Sequence, residues 1–247
     1  MEWKQRPIDV FNGDKRVAQY RISGYDVGLD AGIQPWMYGE ARVGLLLGHW
    51  KADPRIGNVE LPLTSINRGA ITASATLDQL DNVNFPNKGY WARFNSFYSL
   101  RELGAEDNYN KVEGTLGGAL TFRKQTVIAS LRGGSHIGND IPFYDEFELG
   151  GFMSLSGLRF NQLRGQNLAL GRIITYHRVG HSFIGDLYLG GSLEAGNVWD
   201  GSFRTDDLQL AGSIFVGYDT ILGPLYLGFG HAEQGRNAGY FYLGRTF

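Results

Sequence analysis

Cysteine is absent from the 247 residues, so disulfides, thiolate nucleophiles and thiolate metal sites are excluded. No run of about eighteen apolar residues occurs, so no transmembrane helix is expected. Charge is sparse at 19 % and nearly balanced, with a formal net of −2, so no basic surface argues for nucleic acid. The start, Met1-Glu2-Trp3-Lys4-Gln5, has no apolar core behind it and does not read as a secretory signal. No Gly-x-Ser-x-Gly nucleophile elbow is present: Gly133-Gly134-Ser135-His136-Ile137 fails at its last position. His49, His136, His177, His181 and His231 lack metal-ligand spacing, and no metal or other cofactor is expected. What the chain has in quantity is glycine, at 36 residues, and aromatics, at 13 Tyr, 15 Phe and 5 Trp. The mean hydropathy of −0.23 resembles a water-soluble protein. A chain in which only every second residue meets lipid has the same value.

That alternation is present. Tyr25, Val27, Leu29, Ala31 and Ile33 share one face of an extended segment, and Asp26, Gly28, Asp30 and Gly32 share the other. Two carboxylates among glycines cannot form a dry core, but they can line a wet lumen. Val43, Leu45 and Leu47 oppose Glu40, Arg42 and Gly44 in the same way. Further segments place Ile71, Phe94, Leu116, Leu131, Leu189, Ile214 and Leu227 outward. Twelve such segments emerge, the first (about Gln5 to Phe11) being the weakest. The eighth, Asn167 to Arg178, alternates poorly, because Ile173-Ile174 breaks its phase.

The expected fold is therefore all-β: one domain over 1–247, a transmembrane antiparallel β-barrel of twelve strands closed because backbone in lipid must be paired. Asn12-Gly13-Asp14 reads as a tight turn. Pro35, Pro54, Pro62, Pro86, Pro142 and Pro224 are assigned to turns or loops, and Pro7 to the weak first strand. With the N-terminus periplasmic, the turns Gln34–Gly39, Leu80–Gly89, Arg123–Gln125, Val179–Ser182 and Ile221–Pro224 are periplasmic. The loops Ala52–Asn67, Asn139–Gln166 and Val198–Asp207 are extracellular. The loop 139–166 is expected to fold into the lumen. Trp36, Tyr38, Trp50, Tyr90, Trp91, Trp199 and Tyr240 are candidates for interfacial girdles. The candidate lumen wall is Asp26, Asp30, Glu40, Arg42, Arg93, Arg101, Glu113, Arg132 and Glu194, with Asp78, Asp186 and Asp219 beside it. Their mixed signs favour salt bridges over an ion-selective ring.

The chain ends Gly239-Tyr-Phe-Tyr-Leu-Gly-Arg-Thr-Phe247, with Phe241, Leu243 and Phe247 in one phase. This ending resembles the assembly signal of bacterial outer-membrane β-barrels, although Arg245 departs from it. Such a protein carries a leader, so the chain is expected to be a mature or excised domain with an added Met. Phe147-Glu-Leu-Gly150-Gly151-Phe-Met-Ser-Leu155-Ser156-Gly157-Leu158-Arg159-Phe160 resembles the lumen loop of the outer-membrane surface-antigen barrels. Those include the barrel-assembly factor and the two-partner-secretion translocators. Gly196-Asn-Val-Trp199, Leu222-Gly-Pro-Leu225 and the terminal strand resemble the closing strands of that superfamily. The family motif has Arg where Ser156 stands. The resemblance implies that this Arg ties the loop to acidic groups of the wall, which leaves Arg159 or Arg164 to substitute.

The Leu-Ser-Gly variant resembles the barrel of patatin-like type V autotransporters. It implies a translocator or membrane anchor for an N-terminal passenger, with any lipase chemistry in that passenger. The alternative is a porin-like diffusion channel. A third class, a soluble β-barrel ligand binder, would bury paired Asp and Arg in quantity. The partners implied are outer-membrane lipid and lipopolysaccharide, the barrel-assembly machinery, a passenger domain and a second copy in a homodimer.

Overall fold

The protein is seen in a computed structural model that describes residues 2–56, 65–182 and 185–246, the side chains of Glu2, Trp36 and Ser182 excepted. The described strands are β1 (Glu2–Asn12), β2 (Lys15–Trp36), β3 (Gly39–Ile56), β4 (Ser65–Asp78), β5 (Lys88–Ser99), β6 (Tyr109–Phe122), β7 (Gln125–Ile137), β8 (Phe147–Leu149), β9 (Leu163–Gly165), β10 (Asn167–Ser182), β11 (Gly185–Trp199), β12 (Gln209–Thr220), β13 (Gly223–Ala232) and β14 (Arg236–Leu243). All but β8 and β9 join one twelve-stranded sheet in sequence order, and β8 pairs with β9. Among the described residues there is no α-helix, and no helix is long and apolar enough to cross a membrane.

Period-two patterning explains the strands. Val27, Leu29 and Ile33 of β2, Val43, Leu45 and Leu47 of β3, and Leu210, Ile214 and Val216 of β12 are all exposed on the outer face. Asp26 and, on β12, Ala211, Ser213 and Phe215 are buried on the inner face. The two faces therefore carry opposite chemistry in the manner expected for lipid outside.

Four assignments change. β10 keeps continuous register with β11 through Ile173↔Leu193 and Ile174↔Ser192. Ile174 is buried and Ile173 exposed, so the pair does not break phase: the inner face is simply apolar there. The irregularity lies at Arg178/Gly180, a bulge that carries β10 past the expected turn at Val179. Pro35 and Pro54 lie inside β2 and β3, not in turns, each beside a register shift where the missing N–H is tolerated. Pro224 opens β13 opposite Asp219. Arg101 is not on a strand: β5 stops at Ser99, and Arg101–Leu103 is a 3-10 turn. Asn108 Oδ1 accepts from the Arg101 N–H at 2.6 Å, and the Arg101 side chain turns back to Glu106 O and Asp107.

The chain forms two compact units: 1–76 with 93–114 and 134–147, and 77–92 with 115–133 and 148–247. Each has its own core. The first gathers Ile8, Ile22, Trp50, Ala52, Ile66 and Tyr144. The second gathers Phe85, Trp91, Ile128, Met153, Ile174, Tyr176, Tyr188, Phe215 and Tyr226. The inner face is thus not uniformly wet. Trp50 and Trp91 leave the expected girdles for these cores, because indoles gain more from full burial than from an interface when a core lies within reach. Tyr38 and Tyr90 are exposed, Trp199 packs edge-on against Phe203, and the side chain of Trp36 lies outside the described residues.

Ile214 lies midway along β12 on the outer face, so Ile214→Arg is expected to destabilise the protein in lipid vesicles by about 2–4 kcal/mol. Ile221→Arg, at the hairpin tip, is expected to change stability by about 0–1 kcal/mol. Urea unfolding of both variants followed by tryptophan fluorescence checks the difference.

Candidate functional site

The segment between β7 and β10 is the longest connection among the described residues, and both of its halves are fastened to strands. In the first unit the fastening centres on Asp145, in a 3-10 turn at Phe143–Asp145. Arg68 of β4 donates to its carboxylate at 2.8 Å, the Tyr109 hydroxyl donates to the same oxygen, and Lys111 Nζ donates to its carbonyl at 2.6 Å. Arg6 of β1 donates to the Tyr144 carbonyl. The Arg68 guanidinium lies 3.9 Å from the Trp50 ring centre and 4.9 Å from that of Phe97, with Asp26 3.7 Å away. A cation so enclosed is tolerable because carboxylates and ring faces replace its water. Burial pushes the Asp145 carboxyl up, but the Arg68 guanidinium, the Tyr109 hydroxyl and Lys111 outweigh it and hold it below the usual carboxylate range.

In the second unit the segment opens with Glu148, which pairs with Arg164 and accepts from Asn161 across β8 and β9. Gly150-Gly151 then turn the chain into Phe152–Leu158. Leu155, Ser156 and Leu158 are wholly buried. Met153 and Leu155 have φ of 56° and 69°, a costly conformation for side-chain-bearing residues that only firm packing maintains.

The packing is specific. Glu194 of β11, 3 % exposed, accepts from the Ser156 N–H and the Ser156 hydroxyl, each at 2.7 Å. The Ser192 hydroxyl also donates to it. The Ser156 oxygen in turn accepts from the Met153 N–H at 2.9 Å. Arg172 of β10 donates to the Met153 carbonyl at 3.0 Å and to Ser130 Oγ at 2.8 Å. The Tyr240 hydroxyl of β14 accepts from the Gly157 N–H at 2.8 Å and donates to the Leu158 carbonyl at 2.9 Å. Gly157 has φ of +105°, and a Cβ there would stand 2.5 Å from the Ala232 nitrogen, so only glycine lets the loop lie this close to β13.

Several sequence expectations are displaced. Tyr240 is an inner-face anchor of the loop and not a girdle residue. Arg164 serves Glu148 within the segment, and the Arg159 side chain is exposed. The contact to the acidic wall is made by Ser156 itself, whose hydroxyl and N–H suffice for a carboxylate. Of the expected wall residues, Asp26 and Glu194 are buried. Asp30 pairs with Arg42 at 2.5 Å, and Arg42 also with Glu40, at partly exposed positions. Arg93 and Arg132 stand on β5 and β7, opposite in phase to Phe94 and Leu131. Glu113 lines a cavity of about 310 Å³ with Lys111, Asn95 and Ser74. Phe241 and Leu243 are exposed on the outer face of β14, and Phe247 lies outside the described residues.

Arg68, Tyr109, Asp145 and Arg172 were missed. The only sequence signal is that Arg172 interrupts the apolar run Leu168–Ile174; Arg68 gives none, with Asn67 and Gly69 beside it. Their partners are 77 residues away in one case and 19 in the other.

A family profile described as the Omp85 superfamily domain matches residues 8–221. The chain belongs to the Omp85 superfamily. It is an outer-membrane β-barrel of the Omp85 type, and its place is the bacterial outer membrane. Among solved structures, the crystal structure of BamA from Haemophilus ducreyi lacking POTRA domains 1-3 is similar, with a TM-score of 0.73 at 14 % identity. That similarity, which concerns the fold, covers 91 % of this chain and 53 % of the other, so the chain spans about half the length of that crystallised chain. No curated protein matches the chain.

For this Omp85 chain, Asp145→Asn leaves Arg68 buried without its nearest charge, a loss on the order of 3 kcal/mol at neutral pH. The folded-state carboxyl lies below its unfolded value. Its contribution is therefore complete above the ordinary carboxylate range and is lost as pH falls through the depressed value. Urea unfolding in detergent micelles should separate the wild type from Asp145→Asn at pH 7, and the gap should shrink as the buffer is acidified.

Proposed function

We propose that this barrel is the plugged translocator or membrane anchor of a type V secretion protein of the patatin-like kind. The observation that carries the plugged state is the Ser156–Glu194 contact. A loop backbone N–H and a loop hydroxyl both end on one buried wall carboxylate, inside a segment already fixed by Tyr240 and Arg172. A loop packed on the inner face and fastened there obstructs the path that solutes need. The Leu155-Ser156-Gly157-Leu158 sequence supports the patatin-like assignment within the superfamily. In this reading the passenger lies N-terminal to the chain and carries any hydrolytic chemistry. The barrel carries none, and the assembly machinery, lipopolysaccharide and a second copy are its candidate partners.

Two measurements test the reading. The intact chain, refolded and placed in a planar bilayer, should be silent or flicker briefly; a large steady current would sink the plugged state in favour of a diffusion channel. The native full-length protein, taken from outer membranes, should hydrolyse a fatty-acyl ester, and an inert full-length protein would remove the patatin-like assignment while leaving the plug intact.

Loop fastening is tested separately. Glu194→Ala removes the acceptor of three donors and should loosen the loop by about 1–3 kcal/mol. A buried reporter, Met153→Cys, should then react with a maleimide roughly ten to a hundred times faster than in the Glu194 background. An unchanged rate would show that Glu194 does not hold the loop.

A further inference from the structure

The connection between β4 and β5 is anomalous. Among the described residues, the other turns on the same side of the sheet have two residues each, Met37-Tyr38, Arg123-Lys124 and Ile221-Leu222, whereas this one runs from Gln79 to Asn87. It is also internally built. Asp81 Oδ1 accepts from the Asn87 and Lys88 N–H groups, and Asn82 Oδ1 from those of Asn84 and Phe85. Those two N–H groups at Asp81 outweigh its slight burial and hold its carboxyl below the usual range.

The turn delivers Phe85 onto the inner face, where it is 1 % exposed. Its ring stacks on Tyr188 at 4.0 Å and 10°, meets Tyr176 edge-on at 5.6 Å, and lies 5.5 Å from Tyr226. The Tyr176 hydroxyl donates to the Pro86 carbonyl, Asn84 Nδ2 donates to Asp219 at 2.8 Å, and the Thr121 hydroxyl donates to the Asn87 carbonyl at 2.8 Å. A Cβ on Gly217 would lie 2.9 Å from the Phe85 ring tip, so β12 carries no side chain where the ring sits.

The register of β12 with β13 gives the depth of each contact. Asp219, which holds Asn84, pairs with Pro224, and Gly217, beneath Phe85, pairs with Tyr226. Phe152 of the loop lies against Gly228, Ser156 against Gly230, and Gly157 against Ala232. Successive residues advance about 3.3 Å along a strand, so the inner face of β13 is covered from its hairpin end to its loop end. The turn covers one half and the loop the other. The two meet on one residue: Phe85 and Phe152 both lie 5.5 Å from the Tyr226 ring.

We propose that Gln79–Asn87 is a second plug, entering from the hairpin side, and that it and the loop close the interior of this unit jointly through the Phe85–Tyr226–Phe152 contact. The proposal rests on the plugged-barrel reading and adds that removing the loop alone does not open the path. Each plug also supports the other, since the removal of either uncovers one face of Tyr226.

The test is single-channel conductance of four refolded chains: intact, lacking residues 151–158, with Gln79–Asn87 replaced by Asn-Gly, and with both changes. Each is first checked for a heat-modifiable folded band. Only the double variant is expected to carry a steady current, with each single variant giving brief openings. Phe85→Ala in the loop-deleted chain keeps the turn and should raise its open fraction roughly a hundredfold. With cysteines at Asn84 and Asp219 as the only thiols, a short thiol cross-linker should abolish the openings of the loop-deleted chain.

A steady current from the loop-deleted chain equal to that of the double variant would overturn the second plug while leaving the loop plug standing. A folded double variant that stays silent would overturn the joint closure. A steady current from the intact chain would overturn the plugged-barrel reading itself.

Discussion

A backbone N–H or carbonyl facing hydrocarbon has no water to bond, so every segment that crosses the bilayer must find its partners in neighbouring strands. The other features of this protein follow from that constraint. The chain spends its length on antiparallel strands joined in sequence order. Side chains then fall alternately on two faces, and the outer one is surrendered to lipid. Leu, Ile, Val and Phe are exposed there because lipid is their solvent. Everything that gives this barrel its individual character must therefore be placed on the inner face.

The inner face is treated in two ways. In the first unit a buried guanidinium, Arg68, is enclosed by two rings and two carboxylates and receives the Phe143–Asp145 turn. In the second unit, apart from the Glu194 site, the face is lined by aromatic rings that receive Phe85 and Phe152. Both arrangements convert a surface open to water into a packed one. The cost of burying charge at Arg68 and Glu194 is offset by hydrogen bonds that reach across the chain. Ser156 shows how little is needed on the loop side. A residue with one hydroxyl and one N–H gives a carboxylate two donors, as a guanidinium would but without its charge, and its oxygen still accepts from Met153.

The long loop and the long turn between β4 and β5 reach the inner face of the second unit from opposite ends of β13. Tyr226 touches both, so the two segments share one packing surface and are not independent inserts. Shared packing of this kind makes neighbouring elements respond together, because close-packed interiors shift between discrete arrangements and do not deform smoothly.

The amino-acid sequence by itself determined the fold class and the phase of most strands. Alternation with period two is a local property, written residue by residue, and Val27-Leu29 against Asp26-Gly28 needs no distant partner to be read. It also offers Gly150 to Arg159 as a candidate motif and Glu194 as a candidate wall residue. Tertiary structure alone decided what fills the interior. Trp50 and Trp91 read as interfacial because a tryptophan near a strand end does so when nothing distant is known. Ile174 read as an error of phase because an apolar inner face is unintelligible without the ring cluster that covers it. Arg101 read as a wall residue until Asn108 ended its strand. Asp145 and Arg68, or Phe85 and Tyr188, are pairs formed by chain segments far apart in sequence. Each partner has an ordinary local context, and only the fold brings the two within contact distance.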